Sequence, residues 1–219
     1  MQLKRILRAL GRRLPVVNTY EIRRLDRTFN GRDAFHRTRN VRPRDTRGLP
    51  RVHYACGKNF LAGWLNVDSY RLGNTTEAFE CIDLVSRHPF RDDSFEFGYA
   101  EDFLEHLNQV DSLLFLSECL RTLKPGGVLR LAFPGLEGVL RKHYPDPNWE
   151  TVNIAKKEAY THFDYLHFYS TEELALVARH LGFQTATFHA FGESPHLPLR
   201  GIDHRVAQKD LNTYAELQK

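Results

Sequence analysis

The sequence of 219 residues has no long hydrophobic run, which limits the classes of protein that it can encode. No apolar stretch approaches the roughly 18 to 20 residues that a membrane-spanning helix needs. The N-terminus is positively charged but lacks the apolar stretch of about 7 to 15 residues that marks a secretory signal. We therefore expect a cytoplasmic protein with no segment that crosses a membrane.

Cysteine is also scarce, because the chain has only Cys56, Cys81 and Cys119, and no two of them have CxxC spacing. An odd number of scattered thiols argues against a disulfide scaffold and against a cysteine-ligated zinc site, and it favours a reducing compartment. His162, Asp164 and His167 have a spacing that a metal could use, but no supporting ligands are apparent. We predict no metal site and instead expect these three residues in a lid over the acceptor, along with Tyr160, Tyr165 and Tyr169.

The charged residues are distributed unevenly along the chain. Residues 1–51 contain 15 Lys and Arg against 4 acidic residues, a net charge of +11, whereas residues 52–219 contain 16 against 23, a net charge of −7. Such a composition indicates a basic arm, placed at residues 1–50, joined to a mildly acidic domain at residues 51–219.

The first turns of the basic arm have the pattern of an amphipathic helix over residues 1–14, which Pro15 ends. One face would carry five apolar side chains, namely Leu3, Ile6, Leu7, Leu10 and Leu14. The other would carry Lys4, Arg5, Arg8, Arg12 and Arg13. This helix could pack on the domain, or it could lie on an anionic membrane surface as a peripheral anchor at the inner membrane. Nucleic acid ranks lower, because few aromatic residues stand among the arginines.

From residue 51 onward, short strands alternate with helices, which predicts an α/β fold. The fold would be a Rossmann-like, seven-stranded, mostly parallel sheet flanked by helices. The predicted strands are Val52–Ala55, Leu65–Val67, Ala78–Ile82, Phe95–Ala100, Gly127–Phe133, Gln184–Phe191 and Leu211–Leu217, with the last two antiparallel. Predicted helices cover Asp111–Leu123, with Asp111 as N-cap and Pro125–Gly127 as the stop, a segment after Pro134, and a segment capped by Ser170 and Gly182.

Four consecutive strand ends carry residues suited to a nucleotide-like ligand. The first strand runs into a small-residue turn, which lets a backbone approach a ligand closely. The second strand ends at Asp68, where a carboxylate could accept hydrogen bonds from both ribose hydroxyls. The third ends at Asp83-Leu84, and the fourth delivers Glu101 and then Glu105-His106 to the same sheet edge. Ligands of open α/β sheets bind at that edge.

These segments resemble class I S-adenosylmethionine-dependent methyltransferases of the methyltransferase type 11 group. The resemblance covers about residues 51–219 and rests on His53–Gly57, Gly63–Asp68, Pro89–Phe95, Leu104–Leu107, Leu123–Gly127, Leu181–Phe183 and Phe191–Ser194. Within this group, the sequence is most similar to short members found among polysaccharide and cell-envelope biosynthesis genes, which share the Gly63–Asp68 pattern.

The resemblance implies a role for each matching residue. Tyr54, Ala55, Cys56 and Gly57 would wrap the methionine part of S-adenosylmethionine, and Asp68 would bind its ribose. Asp83 and Leu84 would lie at the adenine, and Glu101 near the amino group or the sulfonium. The chain departs from the family pattern at Ala55, where a glycine is usual, and at Gly135, where relatives often carry Asp. The gap between Gly57 and Asp68 is also too short for the usual helix, so we predict an open loop there.

His106 is the candidate general base, because a hydroxyl acceptor would need a group with a pKa near neutrality at this edge. We accordingly predict an O-methyltransferase that acts on a glycan or another small molecule in cell-envelope polysaccharide biosynthesis. Two alternatives stay open. One is an RNA or protein methyltransferase that holds its substrate with the basic arm, and the other is a SAM-binding protein without turnover.

Overall fold

The computed structural model describes residues 43–143, 148–150, 153 and 163–219. The predicted helix over residues 1–14, the rest of the basic arm up to residue 42, and Tyr160 and His162 lie outside the described residues. Within the described residues, no helix is long and apolar enough to cross a membrane.

The sheet has seven strands in the order β3-β2-β1-β4-β5-β7-β6. Five are parallel to one another: β1 (Arg51–Tyr54), β2 (Leu65–Asp68), β3 (Phe79–Cys81), β4 (Phe95–Glu101) and β5 (Leu123–Pro134). The last two are β6 (Thr185–His189) and β7 (Asn212–Gln218), and β7 runs antiparallel to both β5 and β6. The predicted mostly parallel, Rossmann-like sheet is therefore confirmed, including its antiparallel end.

Three helices lie entirely within the described residues: α1 (Gln109–Thr122), α2 (Leu136–His143) and α3 (Thr171–Leu181). The prediction for α3 is confirmed at both ends. The Ser170 hydroxyl accepts from the amide of Glu173, and Gly182 follows the helix with a positive φ of 111°. This is the conformation in which glycine commonly ends a helix.

The predicted N-cap of α1 was wrong, whereas its predicted end at Leu123 lies one residue beyond the observed end at Thr122. Asn108 is the N-cap, and its side chain accepts from the amide of Asp111, which sits in the first turn. The Asn108 side-chain amide also donates to the Asp111 carboxylate at 3.0 Å, which fixes the orientation of the capping side chain. At the other end, the helix stops at Thr122 and β5 begins at Leu123, before the Pro-Gly-Gly segment that was predicted to stop it.

An open loop joins β1 to β2, as predicted, since residues 55–64 contain turns and no helix. The loop is organised by Asn66, which is fully buried. Its amide nitrogen donates to the carbonyls of Leu61, Trp64 and Ala78, and its oxygen accepts from the amide of Leu61 at 2.8 Å. One buried side chain thus satisfies backbone carbonyls within the loop and at the start of β3.

Different elements pack against the two faces of the sheet. On one face, Tyr54 packs edge-to-face on Phe115 of α1, with ring centroids 5.5 Å apart. On the other face, Leu199 and Ile202 from the long β6–β7 connection pack into a cluster with Tyr99, Val128, Ala132, Tyr214 and Trp64. The connection between β6 and β7 is therefore part of the core, and it also reaches the sheet edge where the predicted site lies.

Residues 43–50, the end of the predicted arm, contact the domain. The Arg44 and Arg47 guanidinium groups bind Glu80 at 2.8 and 3.0 Å, and the carbonyl of Pro50 accepts from the amide of Glu96. Surface ion pairs of this kind contribute about 0–1 kcal/mol each. These ion pairs therefore fix the position of residues 43–50 and add little to the free energy of unfolding.

Candidate functional site

The carboxyl ends of the five parallel strands meet at one edge, and the strand registers bring three predicted site residues side by side. Tyr54, the last residue of β1, pairs with Val67 of β2 and with Ala100 of β4. The residues that follow these three are Ala55, Asp68 and Glu101, which therefore lie at the same level of the sheet. Neighbouring strands are about 4.8 Å apart. The strand order also reverses at β1, with β2 on one side and β4 on the other. This switch point is where open α/β sheets bind ligands.

The turn after β1 is held open by the end of β2. The amide of Gly57 donates to Asp68 Oδ2 at 2.9 Å, while Asp68 Oδ1 accepts from the amide of Ser69. Ala55 and Gly57 both have positive φ, 51° and 55°. No atom lies within 4 Å of the point where a Gly57 side chain would begin, so the space beside the turn is open to a ligand.

Two predicted cofactor residues can contribute only backbone to that space. The Tyr54 ring is fully buried beneath the turn, and its hydroxyl lies 3.3 Å from that of Thr122. The Cys56 side chain is buried too. Burial, assisted by the nearby Asp68 carboxylate, raises the pKa of the Cys56 thiol to about 12. The thiol is therefore neutral and has no nucleophilic role at physiological pH.

Asp83 and Leu84 follow β3 at the outer end of this edge. Leu84 is buried, and its carbonyl lies 3.0 Å from Nε2 of the buried His88. Asp83 Oδ1 accepts from the amide of Val85 at 3.2 Å, which gives the turn after β3 a defined shape. The structure thus places an acid beside an apolar residue after β3, with two strands, β2 and β1, between β3 and the strand that carries Glu101.

Glu101 is held by a segment that the sequence did not connect with the site. Its Oε1 accepts from the amide of His204 at 3.0 Å, and its Oε2 lies 3.5 Å from the His204 ring. The neighbouring Asp102 binds Arg205 at 2.6 Å. Both partners belong to the β6–β7 connection, which therefore forms one wall of the site.

A buried arginine anchors that wall. Arg130 of β5 is fully buried, and its guanidinium binds Asp203 through two hydrogen bonds, of 3.0 and 2.6 Å, and Glu216 at 2.9 Å. Asp203 Oδ2 also accepts from the amide of Gly192. An arginine within the apolar run of a buried strand requires acidic partners from elsewhere in the chain. Arg130 was therefore the one residue in the sequence that could have indicated that the β6–β7 connection packs against β5.

His106 lies at the end of a single 3₁₀ turn, Leu104–His106, directly after β4. Its side chain is 37% exposed, so it can be reached by an acceptor. Partial burial lowers the pKa of His106 below the usual 6.5, although the nearby Asp164 acts in the opposite direction. A histidine with a lowered pKa is neutral at physiological pH, which is the state that can take up a proton.

His106 lines a cavity of about 220 Å³ at this edge. The cavity is also lined by Glu105, Tyr165 and Arg205, so it extends from the 3₁₀ turn to the wall. Tyr165 had been expected in a lid over the acceptor together with Tyr169 and His167. Instead, Tyr169 is buried against Ser112, and His167 binds Glu173 at 2.9 Å. Of these three, only Tyr165 lines the cavity.

Gly135 has a steric explanation. A side chain at this position would collide with the side chain of Thr213 on the paired strand β7. A larger residue at position 135 is therefore incompatible with the present position of the Thr213 side chain.

The residues at this edge fit S-adenosylmethionine as a cofactor. The open turn at Gly57 offers close backbone approach, and the partly exposed Asp68 offers carboxylate oxygens to ribose hydroxyls. Within the part of the chain that the structure describes, no cluster of three or more metal-binding side chains is present.

Comparison with known proteins agrees with this geometry. Residues 55–131 match the family model described as a methyltransferase domain. That range contains the turn after β1, Asp68, Asp83, Glu101 and His106. No curated protein sequence matches the chain.

Several solved structures share the fold. A SAM-dependent methyltransferase from Archaeoglobus fulgidus has 16% identity and a TM-score of 0.51, over 90% of this chain and 94% of that one. An S-adenosylmethionine-dependent methyltransferase from Mesorhizobium loti has 15% identity and a TM-score of 0.51, over 89% and 100%. A chain of the Haloferax volcanii complex between the Trm112 methyltransferase activator and a methyltransferase has 16% identity and a TM-score of 0.53, over 88% and 90%. At such identities the likeness establishes the fold.

Proposed function

Because this chain is a class I S-adenosylmethionine-dependent methyltransferase, whose residues 55–131 match a methyltransferase domain, we propose that it methylates a hydroxyl group of a glycan or another small molecule. The observation that carries the proposal is the position of the neutral, reachable His106 in a cavity at the same sheet edge as the cofactor residues.

The chain's residues have separable tasks in this reaction. The backbone at Ala55–Gly57 and the Asp68 carboxylate would hold the cofactor, with Asp83, Leu84 and Glu101 completing its site. The cofactor, when bound, supplies an activated methyl group: a carbon–oxygen bond forms, the carbon–sulfur bond breaks and S-adenosylhomocysteine leaves. His106 takes the hydroxyl proton on a ring nitrogen. Alignment of the two reactants is worth about 7–11 kcal/mol in well-oriented reactions.

The proposed cellular location of the reaction rests on the sequence resemblance and on the basic arm. The enzyme would act in the cytoplasm in polysaccharide biosynthesis, at the periphery of the inner membrane, through residues 1–14. A lipid-linked saccharide would suit such a location, because the saccharide would be presented at the membrane surface.

The test has two stages. Calorimetry with S-adenosylhomocysteine measures cofactor binding by the full chain, by Asp68→Ala and by the control Glu172→Ala, an exposed acid on α3. We expect Asp68→Ala to weaken binding by about 1.5–3 kcal/mol, since hydrogen bonds to a charged group are lost. Transfer of labelled methyl from S-adenosylmethionine is then measured with an array of saccharides and phenols.

Each result has a distinct meaning. Binding followed by transfer to a hydroxyl compound supports the proposal. Transfer only to RNA or to a protein would replace the proposed acceptor, and binding without transfer to any compound would indicate a SAM-binding protein without turnover. Unchanged affinity in a folded Asp68→Ala variant would remove Asp68 from the ribose role.

A further inference from the structure

Two basic side chains from different elements line the cavity beside His106. Arg205 belongs to the β6–β7 connection, and Lys142 belongs to α2. The Arg205 side chain is 51% exposed and Lys142 is exposed as well, so a ligand that enters the cavity can reach both. Residues 52–219 carry a net charge of −7, so two cations at one cavity of about 220 Å³ are a local exception to the charge of the domain.

The two elements that carry these cations are in close contact. Gly138 of α2 lies against the backbone of Leu211, because a side chain on Gly138 would collide with the Leu211 carbonyl. Lys142 follows Val139 by three residues, so the two lie on one face of α2, and both line the cavity. The contact at Gly138 therefore fixes the separation of the two elements that present Lys142 and Arg205.

Only part of the positive charge at the cavity is compensated. The Nε atom of Arg205 lies 2.6 Å from the Asp102 carboxylate, and neither terminal nitrogen of the guanidinium donates to another described residue. Lys142 has no ion pair with any described residue. The terminal nitrogens of an arginine can bind a carboxylate or a phosphate through two parallel hydrogen bonds. An anionic group can therefore bind here without displacing an existing partner.

Glu105, the other acidic residue of the lining, does not cancel this charge. Its side chain is fully buried, and neither carboxyl oxygen has a hydrogen-bond partner among the described residues. Burial raises the pKa of Glu105 well above its ordinary value, and the nearby Asp102 acts in the same direction, which favours the neutral form. His106 is neutral too, so the lining retains Arg205 and Lys142 against Asp102 alone.

Two aromatic rings form another part of the lining. Tyr165 and Phe163 are stacked, with ring centroids 5.6 Å apart and planes at 23°, and both line the cavity. Apolar walls with a few charged groups that fix the orientation of the ligand are the usual construction of a small-molecule site. The volume of about 220 Å³ is below the roughly 300 to 1,000 Å³ of drug-sized sites, so it suits a single ring.

We propose that the cavity selects an acceptor ring with an anionic substituent, a carboxylate or a phosphate, and that Arg205 and Lys142 bind this substituent. The ring itself lies against Tyr165 and Phe163. The inference rests on the proposed function, since it names the substrate class of that site. Acidic sugars and phenolic acids share this chemistry, and the experiment below distinguishes them. Arg205 and Lys142 are then specificity-determining residues.

Matched pairs of probes isolate the contribution of the negative charge. Glucuronate is compared with glucuronamide, and 4-hydroxybenzoate with 4-hydroxybenzamide, because each amide has nearly the shape of its acid and no charge. Glucose 6-phosphate is compared with glucose. Saturation-transfer NMR titrations at low salt measure binding of each probe to the S-adenosylhomocysteine complex of the full chain. Methyl transfer and thermal melting are measured alongside, and the pair with the tightest-binding acid identifies a sugar or a phenol.

The variants remove one positive charge at a time. Lys142→Gln loses no contact with a described residue, Arg205→Gln loses the ion pair with Asp102 as well, and Arg205→Lys keeps the charge without the planar donor pair. The control is Arg179→Gln, which removes a charge at an exposed position of α3 outside the cavity lining.

The measured quantity is the ratio of the affinity for the acid to the affinity for its neutral counterpart. We expect a ratio of about ten or more in the parent, since hydrogen bonds to a charged group contribute that much. The ratio should fall by about tenfold in Arg205→Gln and by about three- to fivefold in Lys142→Gln, whose exposed charge is better screened. It should be intermediate in Arg205→Lys and unchanged in Arg179→Gln.

Two results would overturn the inference: acids that bind no more tightly than their neutral counterparts, and a ratio in Lys142→Gln equal to that of the parent. If Arg205→Gln melts at a lower temperature and weakens acid and amide alike, the ratio in Lys142→Gln decides. If the acids bind as expected but neither they nor any saccharide or phenol is methylated, the inference stands and the proposed function fails. Methylation of neutral probes with no preference for acids leaves the proposed function standing and overturns the inference.

Discussion

At the scale of single residues, His106 is the group whose substitution should separate catalysis from cofactor binding. We expect His106→Ala to lower the turnover number by about 10²- to 10⁴-fold, the usual contribution of a general base. Its affinity for S-adenosylhomocysteine should change little. His180→Ala, on the exposed face of α3, is the control. Turnover within about threefold of the parent would make His106 a structural residue.

The pH dependence of the same reaction tests the charge state of His106. Its pKa is lowered by partial burial, so the imidazole stays neutral down to a pH below 6.5 and is protonated only there. The rate should therefore be constant above that point and fall as the pH decreases through the lowered pKa. A profile whose acid limb lies above pH 6.5, or one that His106→Ala leaves unchanged, contradicts this assignment.

Ala55 is a second residue with a measurable consequence. It occupies the left-handed region with φ of 51°, where its side chain costs about 1–2 kcal/mol relative to the right-handed conformation. Glycine avoids this cost but loses more entropy on folding, so Ala55→Gly should stabilise the protein by about 0.5–1 kcal/mol. Urea unfolding measures the difference. A destabilised Ala55→Gly variant would mean that the Ala55 side chain makes a compensating contact.

The strand-end residues were predictable, whereas their partners were not. Asp68 and Glu101 lie where the sequence placed them, because the ends of parallel strands share an edge whatever the rest of the chain does. Glu101 meets His204, and Asp102 meets Arg205, about a hundred residues away in the chain. Such contacts depend on how the β6–β7 connection crosses the sheet, and no local pattern encodes that path.

At the scale of elements, the β1–β2 loop depends on one amide side chain. Asn66→Leu has a similar volume but leaves the carbonyls of Leu61, Trp64 and Ala78 without this donor. We expect a loss of about 2–3 kcal/mol of unfolding free energy, since buried polar groups would lose their partner. The control is Leu176→Asn, at an exposed position of α3. A loss below about 0.5 kcal/mol would show that the loop re-forms without Asn66.

Elements were predicted best where a side chain signals its own boundary. Ser170 and Gly182 delimit α3 because a hydroxyl cap and a left-handed glycine act within one turn of the helix. The start of α1 was misplaced because Asn108 and Asp111 can both cap, and only the fold decides between them. β5 begins early because residues from Leu123 onward pair with β4 through an irregularity near Phe95.

At the scale of the whole molecule, the charge distribution divides the chain into two parts with opposite net charge. Residues 1–51 carry a net charge of +11, and residues 52–219 carry −7. Two of the basic residues, Arg44 and Arg47, bind Glu80 of the domain. Most of the remaining positive charge precedes residue 43. A membrane with anionic lipids would attract such a segment by roughly 1 kcal/mol for each Lys or Arg near its surface.

The last prediction concerns residues 1–14. Leu3, Ile6, Leu7, Leu10 and Leu14 would each gain about 1.5–3 kcal/mol on leaving water, so a helix carrying them should bury that face. We expect the full chain to cosediment with vesicles of phosphatidylglycerol and phosphatidylcholine, and less so as salt rises, because ions screen the attraction. A chain lacking residues 1–14 should lose this binding and keep its melting temperature. Arg12→Glu with Arg13→Glu keeps the apolar face and should weaken binding to anionic vesicles alone. A truncated chain that melts several degrees lower, with no vesicle binding by either form, would show instead that the helix packs against protein.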